Sequence, residues 1–310
     1  MYLGNAAIDA LAATLEVDDP EASSHWIEMH KSFAYGPDEF SGLIGFGDHS
    51  APKTVLHRIG HSLLQTPFRY IGAQFPCFAV DYENVKSVAK RQNRQLNVDM
   101  LRQAITLSML RQKLQLETVT QPILIIGDGF ATMASLILLG VPNVTVVLVN
   151  LTKTLFVDLV YLQRTVPDCV FALAHSSEEY EVALAEPAIK AIAVQARDAN
   201  ALKSSPIGIC LNILSMQEMN PPAIASYFRI MRETPGPGTI FYCCNRLDKT
   251  LPDGTRVRFQ EYPWCSQDEI LLDGLCPWSQ FYYSIRPPFY RKYDGRIWHR
   301  LAILAKTGSA

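Results

Sequence analysis

An α/β fold with a largely parallel sheet is what this sequence predicts, and three observations predict it. Residues 121–150 read in order as strand, glycine turn, helix, turn and strand, which is half of a nucleotide-binding βαβ unit. Between residues 150 and 244, apolar runs of strand length keep alternating with helical patterns. Near the end of the chain, Asp294-Gly295 separates residues 289–293 from 296–304 and suits a type I′ turn, so an antiparallel hairpin should close the sheet.

The central unit is the most informative. Pro122, Ile123, Leu124, Ile125 and Ile126 form an unbroken apolar run, as expected of a parallel strand covered on both faces. Gly127-Asp128-Gly129 ends it, and a helix follows through Ala131, Met133, Ala134, Leu136, Ile137 and Leu138 until Gly140 and Pro142. Residues 144–149 return as strand. Glycines here allow close approach of a polar ligand to backbone N–H groups and to the start of the helix. A dinucleotide fingerprint would place a third glycine at position 132, which is Thr132; the looser Gly-x-Gly-x-Gly fits better, with Ala131 in its last place. The second strand should end in an acidic residue that holds ribose hydroxyls, and Asn150 stands there. A βα turn with no ligand is the alternative reading.

Composition bounds the function. The chain has 310 residues, 48% hydrophobic and 19% charged, enough to bury a sizeable core. A formal charge of −2 provides no basic field for nucleic acid and no polybasic segment for lipid, which makes a small-molecule partner the expectation. No basic start with an apolar core opens the chain and no apolar run is long enough to span a bilayer, so a cytoplasmic protein is expected. Seven cysteines without a Cys-x-x-Cys pair read as reduced, and the adjacent Cys243 and Cys244 should point to opposite faces of a strand.

Residues 1–117 read as a helical N-terminal region ahead of an α/β domain at 118–310. Helices are expected at 6–16, 54–65 and 99–115, the last capped by Asp99, with turn-rich loops at 35–38 and 47–52. His57 and His61 share a helical i, i+4 spacing, but Arg58, Ile59 and Gly60 lie between them where a zinc helix would carry a glutamate, so no metal is expected. Beyond Asn150, Thr152 suits the N-cap of a helix through Leu162, and residues 176–186 read as helix. Strands are expected at 189–194, 207–214 and 239–244, and a helix at 223–233. Asp198 follows one strand, where it could reach an adenine amino group or simply be solvated; Asn212, Ser215, Gln217 and Glu218 crowd the end of another.

With these elements placed, the chain resembles the S-adenosylmethionine-dependent methyltransferases, more narrowly the sugar O-methyltransferase family. Four stretches carry the likeness: 123–131 with the glycine loop, 148–162 (LVNLTKTLFVDLVYL), 212–219 (NILSMQEM), and 241–246 (FYCCNR) with Tyr262-Pro263-Trp264 downstream. The resemblance implies a Rossmann-like methyltransferase sheet with a C-terminal antiparallel hairpin, preceded by a helical N-terminal cap that helps to build the acceptor pocket. It implies S-adenosyl-L-methionine as cofactor, held by Gly127, Asp128, Gly129, Phe130, Asn150, Leu151, Asp198 and Asn212. It further implies transfer of a methyl group to a hydroxyl of a sugar or sugar-like small molecule, by a chain that could form a homo-oligomer. Glu218 is the candidate base, with the alternative that it serves a helix dipole, and Ser215 and Gln217 are candidates for orienting the acceptor.

The sequence departs from the family in two places. Ile125 stands where the first strand carries an acid two residues before the glycines, and Asn150 replaces the usual aspartate. Asn150 can accept from a ribose hydroxyl through its amide oxygen without charge assistance, and Asp128 could restore a negative charge near the methionyl amine. Two further readings follow: a methyltransferase-like domain that has lost catalysis and serves as a binding or scaffolding subunit, and a nicotinamide-dependent oxidoreductase, which Thr132 and the C-terminal hairpin disfavour.

Overall fold

The computed structural model describes residues 1–36, 40–45, 49–51 and 54–307. Of the two turn-rich loops expected near the N-terminus, Pro37, Asp38, Gly47, Asp48 and Pro52 lie outside the described residues.

A two-residue strand, β1 (Tyr2–Leu3), leads into helices α1 (Asn5–Ala12) and α2 (Ser24–Met29) and a small ribbon of β2 (Ala34–Tyr35) with β3 (Phe40–Ser41). Four helices follow: α3 (Val55–Leu64), α4 (Thr66–Gly72), α5 (Phe78–Arg91) and α6 (Val98–Leu114). The periodic pattern located α1, α3 and α6; α2, α4 and α5 are additional. The cap of α6 is Asn97, not Asp99. Asn97 is the extended residue before the helix and its side chain accepts from Met100 N at 2.9 Å, whereas Asp99 already lies in the first turn and pairs with Arg102 at 2.8 Å.

Strand and helix then alternate through β4 (Ile123–Ile126), α7 (Thr132–Gly140), β5 (Val146–Asn150), α8 (Thr152–Thr165), β6 (Val170–Ala174), α9 (Ser177–Ala185) and β7 (Ile189–Gln195). A 3₁₀ stretch (Ala196–Ser204), β8 (Ile209–Ile213), α10 (Pro221–Glu233) and β9 (Ile240–Arg246) complete the α/β part. A ribbon of β10 (Asp248–Thr250) and β11 (Arg256–Arg258), then β12 (Glu269–Leu275), β13 (Phe281–Tyr283), β14 (Tyr290–Lys292) and β15 (Ile297–Ile303) end the chain.

The nine-stranded sheet has the order β1-β6-β7-β5-β4-β8-β9-β15-β12. From β6 to β9 in this order the strands run parallel, and β15 is antiparallel to both of its neighbours, β9 and β12. The antiparallel ending expected from the sequence is present, but not as a tight hairpin over 289–304: residues 290–292 pair with β13, and β15 finds β12 instead. Asp294-Gly295 still turns the chain, with Gly295 at φ 88°.

Alternation along the strands builds two helical layers. Ile123, Ile125, Val146 and Leu148 face α1 and α5–α8, while Leu124, Ile126, Val147 and Val149 face α9, the 3₁₀ stretch and α10. All eight are at most 3% exposed, and burying each such side chain contributes roughly 1.5–3 kcal/mol. The adjacent thiols of Cys243 and Cys244 fall in opposite layers, as period-two geometry requires. Residues 1–117 share this core. β1 extends the sheet by pairing with β6, and residues of α1, α5 and α6 pack in the same cluster as β4 and β5.

Candidate functional site

From β4 the chain crosses through α7 to β5 on one side, while β8 lies on the other. Such a switch point leaves a crevice at the strand carboxyl ends. The backbone there is forced into left-handed conformations at Gly127 (φ 74°), Gly129 (φ 88°), Ala131 (φ 45°) and, across the crevice, Leu214 (φ 58°). Two of these are not glycine: Leu214 lines the crevice, and Ala131 is fully buried behind the loop. The glycines have different duties. A Cβ at Gly127 would lie 2.0 Å from Ser215 Oγ, so Gly127 permits the close packing of the two strand ends; a Cβ at Gly129 meets nothing within 4 Å and would project into open space.

The crevice has two compartments sharing Trp26, Asn150, Ser215 and Glu218. One is apolar, walled by Leu151, Ala196, Ala199, Met219, Ala223 and Tyr227. The other, a cavity of about 180 Å³, runs past Gly127, Asp128 and Gly129 to Asp99, Arg102, Gln103, Thr106, Ser279 and Tyr293. Arg102 secures that far wall: its Nε donates to Trp278 O at 3.0 Å and its Nη2 to Phe281 O, while Trp278 Nε1 donates to Thr106 Oγ1 at 3.0 Å. Gln103 Oε1 is buried beside the glycine loop with no hydrogen-bond partner. It is an acceptor that a ligand donor could satisfy.

Carboxylates behind the loop set its electrostatics. Asp128 accepts from Met133 N at 3.0 Å and Ala134 N at 2.8 Å, capping α7. Burial pushes its carboxyl up to about 6, against the opposing pull of the Ala134, Met133 and Thr132 amides and the Arg94 guanidinium. Asp158 of α8, fully buried, accepts from Ala131 N at 2.8 Å and from Asn150 Nδ2 at 2.9 Å. Burial, and then the neighbouring Asp128 charge, hold its carboxyl well above the ordinary carboxylate range. Asn150 therefore has a defined orientation: Nδ2 faces Asp158, and Oδ1 accepts from Leu151 N at 3.1 Å with one lone pair left for a further donor.

The remaining candidates divide. Gly127, Asp128, Gly129, Asn150, Leu151, Ser215, Gln217 and Glu218 all line the crevice. Phe130, Asp198 and Asn212 are not among its lining residues. The Phe130 ring turns away under the Arg94 guanidinium, 3.8 Å from the ring centre, and against Tyr161. Asp198 pairs with His175 at 3.0 Å, leaving Ala196 and Ala199 of the same stretch to face the apolar compartment. Asn212 is fully buried and stitches strands together, donating to Ile126 O and accepting from Met216 N and Asn245 Nδ2. Gln217 Oε1 accepts from Arg246 N at 2.9 Å. Glu218 Oε1 is held by Lys249 Nζ at 2.8 Å, and its Oε2 lies 3.6 Å from His25 Nε2. Burial lowers the His25 pKa, which favours the neutral imidazole.

Part of the site comes from the N-terminal segment. Glu21, Ser23 and Trp26 line the apolar compartment, and Ser23 Oγ donates to Glu218 O. Thr152 is not its helix's cap, because Leu151 is the extended residue before α8; the cap arrives from Asp19, which accepts from Thr152 N at 2.8 Å and Thr152 Oγ1 at 2.7 Å. Sequence reasoning missed Asp158, His25, Arg102 and Gln103. Only Asp158 left a signal: an acid on the otherwise apolar face of 155–162 has to find buried partners. His57 and His61 lie away from this crevice, with their Nε2 atoms 3.3 Å apart and His61 Nδ1 2.8 Å from Tyr283 Oη.

No family model and no curated protein matches the chain. Solved structures are similar to it at low identity. The mitomycin 7-O-methyltransferase MmcR is 10% identical at a TM-score of 0.38, the likeness covering 66% of this chain and 57% of that one, so this chain spans little more than half of MmcR. The O-methyltransferase TomG from Streptomyces achromogenes, solved in complex with SAM, is 14% identical at 0.35 over 66% of this chain and 78% of its own. An O-methyltransferase from Bacillus cereus in complex with SAH is 11% identical at 0.37, over 63% and 79%.

Proposed function

We propose that this chain is an S-adenosylmethionine-dependent O-methyltransferase that acts on a hydroxyl of a sugar or sugar-like small molecule. The observation that carries the reading is the two-compartment crevice at the β4/β8 switch point, apolar on one side and glycine-bordered and polar on the other. Its residues fit the cofactor. Leu151, Ala199, Met219 and Tyr227 form a slot of the character an adenine ring needs, Asn150 Oδ1 keeps a lone pair for a ribose hydroxyl, and the open face of Gly129 accepts a chain lying against the loop. Gln103 Oε1 and Asp128 offer acceptors to a methionyl ammonium, in place of the acid absent at Ile125. When bound, S-adenosylmethionine supplies a sulfonium methyl group open to in-line attack.

The rest is positioning and proton management by the protein's own side chains. Ser215, at the join of the compartments, and Gln217, fixed by Arg246 N, orient the acceptor hydroxyl, which removes an entropic part of the barrier. Glu218 receives the hydroxyl proton, with Lys249 holding one carboxylate oxygen and the neutral His25 imidazole beside the other. Asp99, Arg102, Gln103, Thr106 and Ser279 give the far wall the density of donors and acceptors that a polyhydroxylated acceptor requires, and Tyr293 adds an aromatic face. The test is calorimetry with S-adenosylhomocysteine, followed by methyl transfer to a panel of sugars and phenols. Glu218→Gln should retain S-adenosylhomocysteine affinity and lose roughly 10²–10⁴-fold in kcat. Absence of S-adenosylhomocysteine binding to the wild type would overturn the cofactor, and full activity in Glu218→Gln would overturn the base.

A further inference from the structure

Large apolar side chains gather on the outside of one helix, α3. Val55, Leu56, Ile59 and Leu63 fall on one side of it at helical spacing and are 61%, 81%, 50% and 67% exposed, and the helix contains no buried residue. The opposite side is the one that docks. His61 Nδ1 lies 2.8 Å from Tyr283 Oη, and the carbonyl of Leu64 accepts from Tyr290 Oη at 3.0 Å, so the β13–β14 ribbon lies against α3. The loop joining these strands carries exposed Ile285 and Phe289, the latter next to Tyr290 and so beside the C-terminal end of α3. Single exposed leucines need no explanation, whereas a continuous stripe marks a surface that meets something apolar.

The rim of the stripe is cationic. Arg58 is exposed on α3, Arg69 of α4 donates to Ser62 Oγ of α3 at 3.2 Å, and Arg286, Arg291 and Lys292 are exposed on the loop and ribbon. Residues 54–80 and 277–293 contain no aspartate or glutamate. Among the described residues none of these five cations pairs with a carboxylate, while the neighbouring acids Glu83 and Asp294 are matched by Lys86 and Arg246. No one segment is polybasic; the fold collects the charge. An occupant of this face has to be apolar and anionic at once. A second copy of the chain fails that condition, because a two-fold contact brings the same cationic rim from both sides. A peptide helix seeks a groove, and α3 is a ridge. An anionic bilayer surface satisfies both terms, since a convex apolar stripe inserts among the acyl chains while arginine and lysine heads stay with the headgroups. We propose that α3 and the β13–β14 loop dock this protein on an anionic lipid surface. The ten residues of α3 span about 15 Å, half the hydrocarbon thickness, so the helix lies in the plane of the interface and does not cross it.

The test is flotation of the full chain with vesicles of phosphatidylcholine alone and of phosphatidylcholine mixed with phosphatidylserine. The wild type should float with the mixed vesicles, bind phosphatidylcholine alone at least about ten-fold more weakly, and release from the mixed vesicles as salt is raised. Leu56→Ser/Leu63→Ser should weaken mixed-vesicle binding at least about ten-fold, and Arg286→Gln/Arg291→Gln/Lys292→Gln by about 100-fold, at roughly five-fold for each cation. All five side chains are exposed, and unchanged unfolding temperatures check the fold. Leu63→Trp gives a reading that needs no loss of binding, because its indole emission should move to shorter wavelength on mixed vesicles and stay unmoved on phosphatidylcholine. No wild-type binding to mixed vesicles, equal binding to both vesicles, undiminished binding in Leu56→Ser/Leu63→Ser, or an unshifted Leu63→Trp emission would each overturn the proposal. So would a dimer in solution that Leu56→Ser/Leu63→Ser dissolves, which would assign the stripe to a second copy.

Discussion

Replacing Asn150 by aspartate would restore the acid that a ribose site prefers, yet the structure predicts harm. Asn150 Nδ2 donates to Asp158 Oδ2 at 2.9 Å, and Asp158 is fully buried, with a proton affinity already raised by that burial and then by the Asp128 charge. In Asn150→Asp the hydrogen bond to Asp158 is lost, worth about 0.5–1.5 kcal/mol for a neutral pair and more when Asp158 is ionised, and two carboxyl groups meet at the same separation. At an effective dielectric of ~20 their repulsion is about 6 kcal/mol, most of which is relieved when the pair shares a proton at about 1.4 kcal/mol per pKa unit. The expected net destabilisation is about 2–4 kcal/mol at pH 7, smaller at pH 5, read from urea unfolding. The exchange Asn150→Asp/Asp158→Asn should recover most of it, because the amide it places on α8 can still accept from Ala131 N through its oxygen and donate to the new carboxylate. That exchanged protein also presents a charged acceptor at the end of β5, for roughly five-fold tighter S-adenosylhomocysteine binding. Wild-type stability in Asn150→Asp, or no recovery in the exchange, would refute the clamp.

Gly129→Val should abolish measurable S-adenosylhomocysteine binding, since its side chain projects into space open in the wild type; Gly129→Ala, with the same φ of 88° to bear and less bulk, separates backbone strain from obstruction in the same titration. Asp81→Ala should cost about 1–3 kcal/mol in chemical denaturation, because it removes the buried one of two carboxylates that hold Arg111, 2.6 Å away, leaving Glu117, and takes one of the two acceptors of Ser108 Oγ. Asp128 should titrate near pH 6 in carbon-13 spectra of its carboxyl carbon. With a folded value of about 6 above the unfolded 3.8, its contribution to stability is full below pH 4 and is lost as pH rises through 6, by about 3 kcal/mol at most. A titration below pH 4 would show that the carboxylate is not desolvated.

The parallel part of the fold was legible because buried strands leave uninterrupted apolar runs, as at 122–126 and 146–149, and glycine loops leave fixed spacings. Features built by distant pairing were not. Nothing local says that 297–303 chooses β9 and β12 over residues 289–293, because a turn signal fixes where the chain bends and not which strand it meets. The site shows the same division. Glycine loop and strand-end residues were readable from position alone, whereas Asn150 acquires its orientation from Asp158 on a different element, and Asp198 and Asn212 lose theirs to His175 and Asn245. A polar side chain's position can be read from sequence; its partner is a tertiary fact.

The cap that Asp19 places on α8 has a consequence for how damage would show itself. It joins residues 133 apart in the chain, and closing a loop of that length costs about 4 kcal/mol of chain entropy, whereas the Asn150–Asp158 pair spans only eight residues. Two hydrogen bonds to Thr152 do not repay such a closure by themselves. The segment bearing Glu21, Ser23 and Trp26 relies on closures made elsewhere, by β1 on β6 and by α1 in the core shared with α8, before Asp19 can reach Thr152. A core substitution remote from the crevice, mild enough to leave every strand paired, would release this segment first, and the molecule would lose a wall of its crevice while still registering as folded.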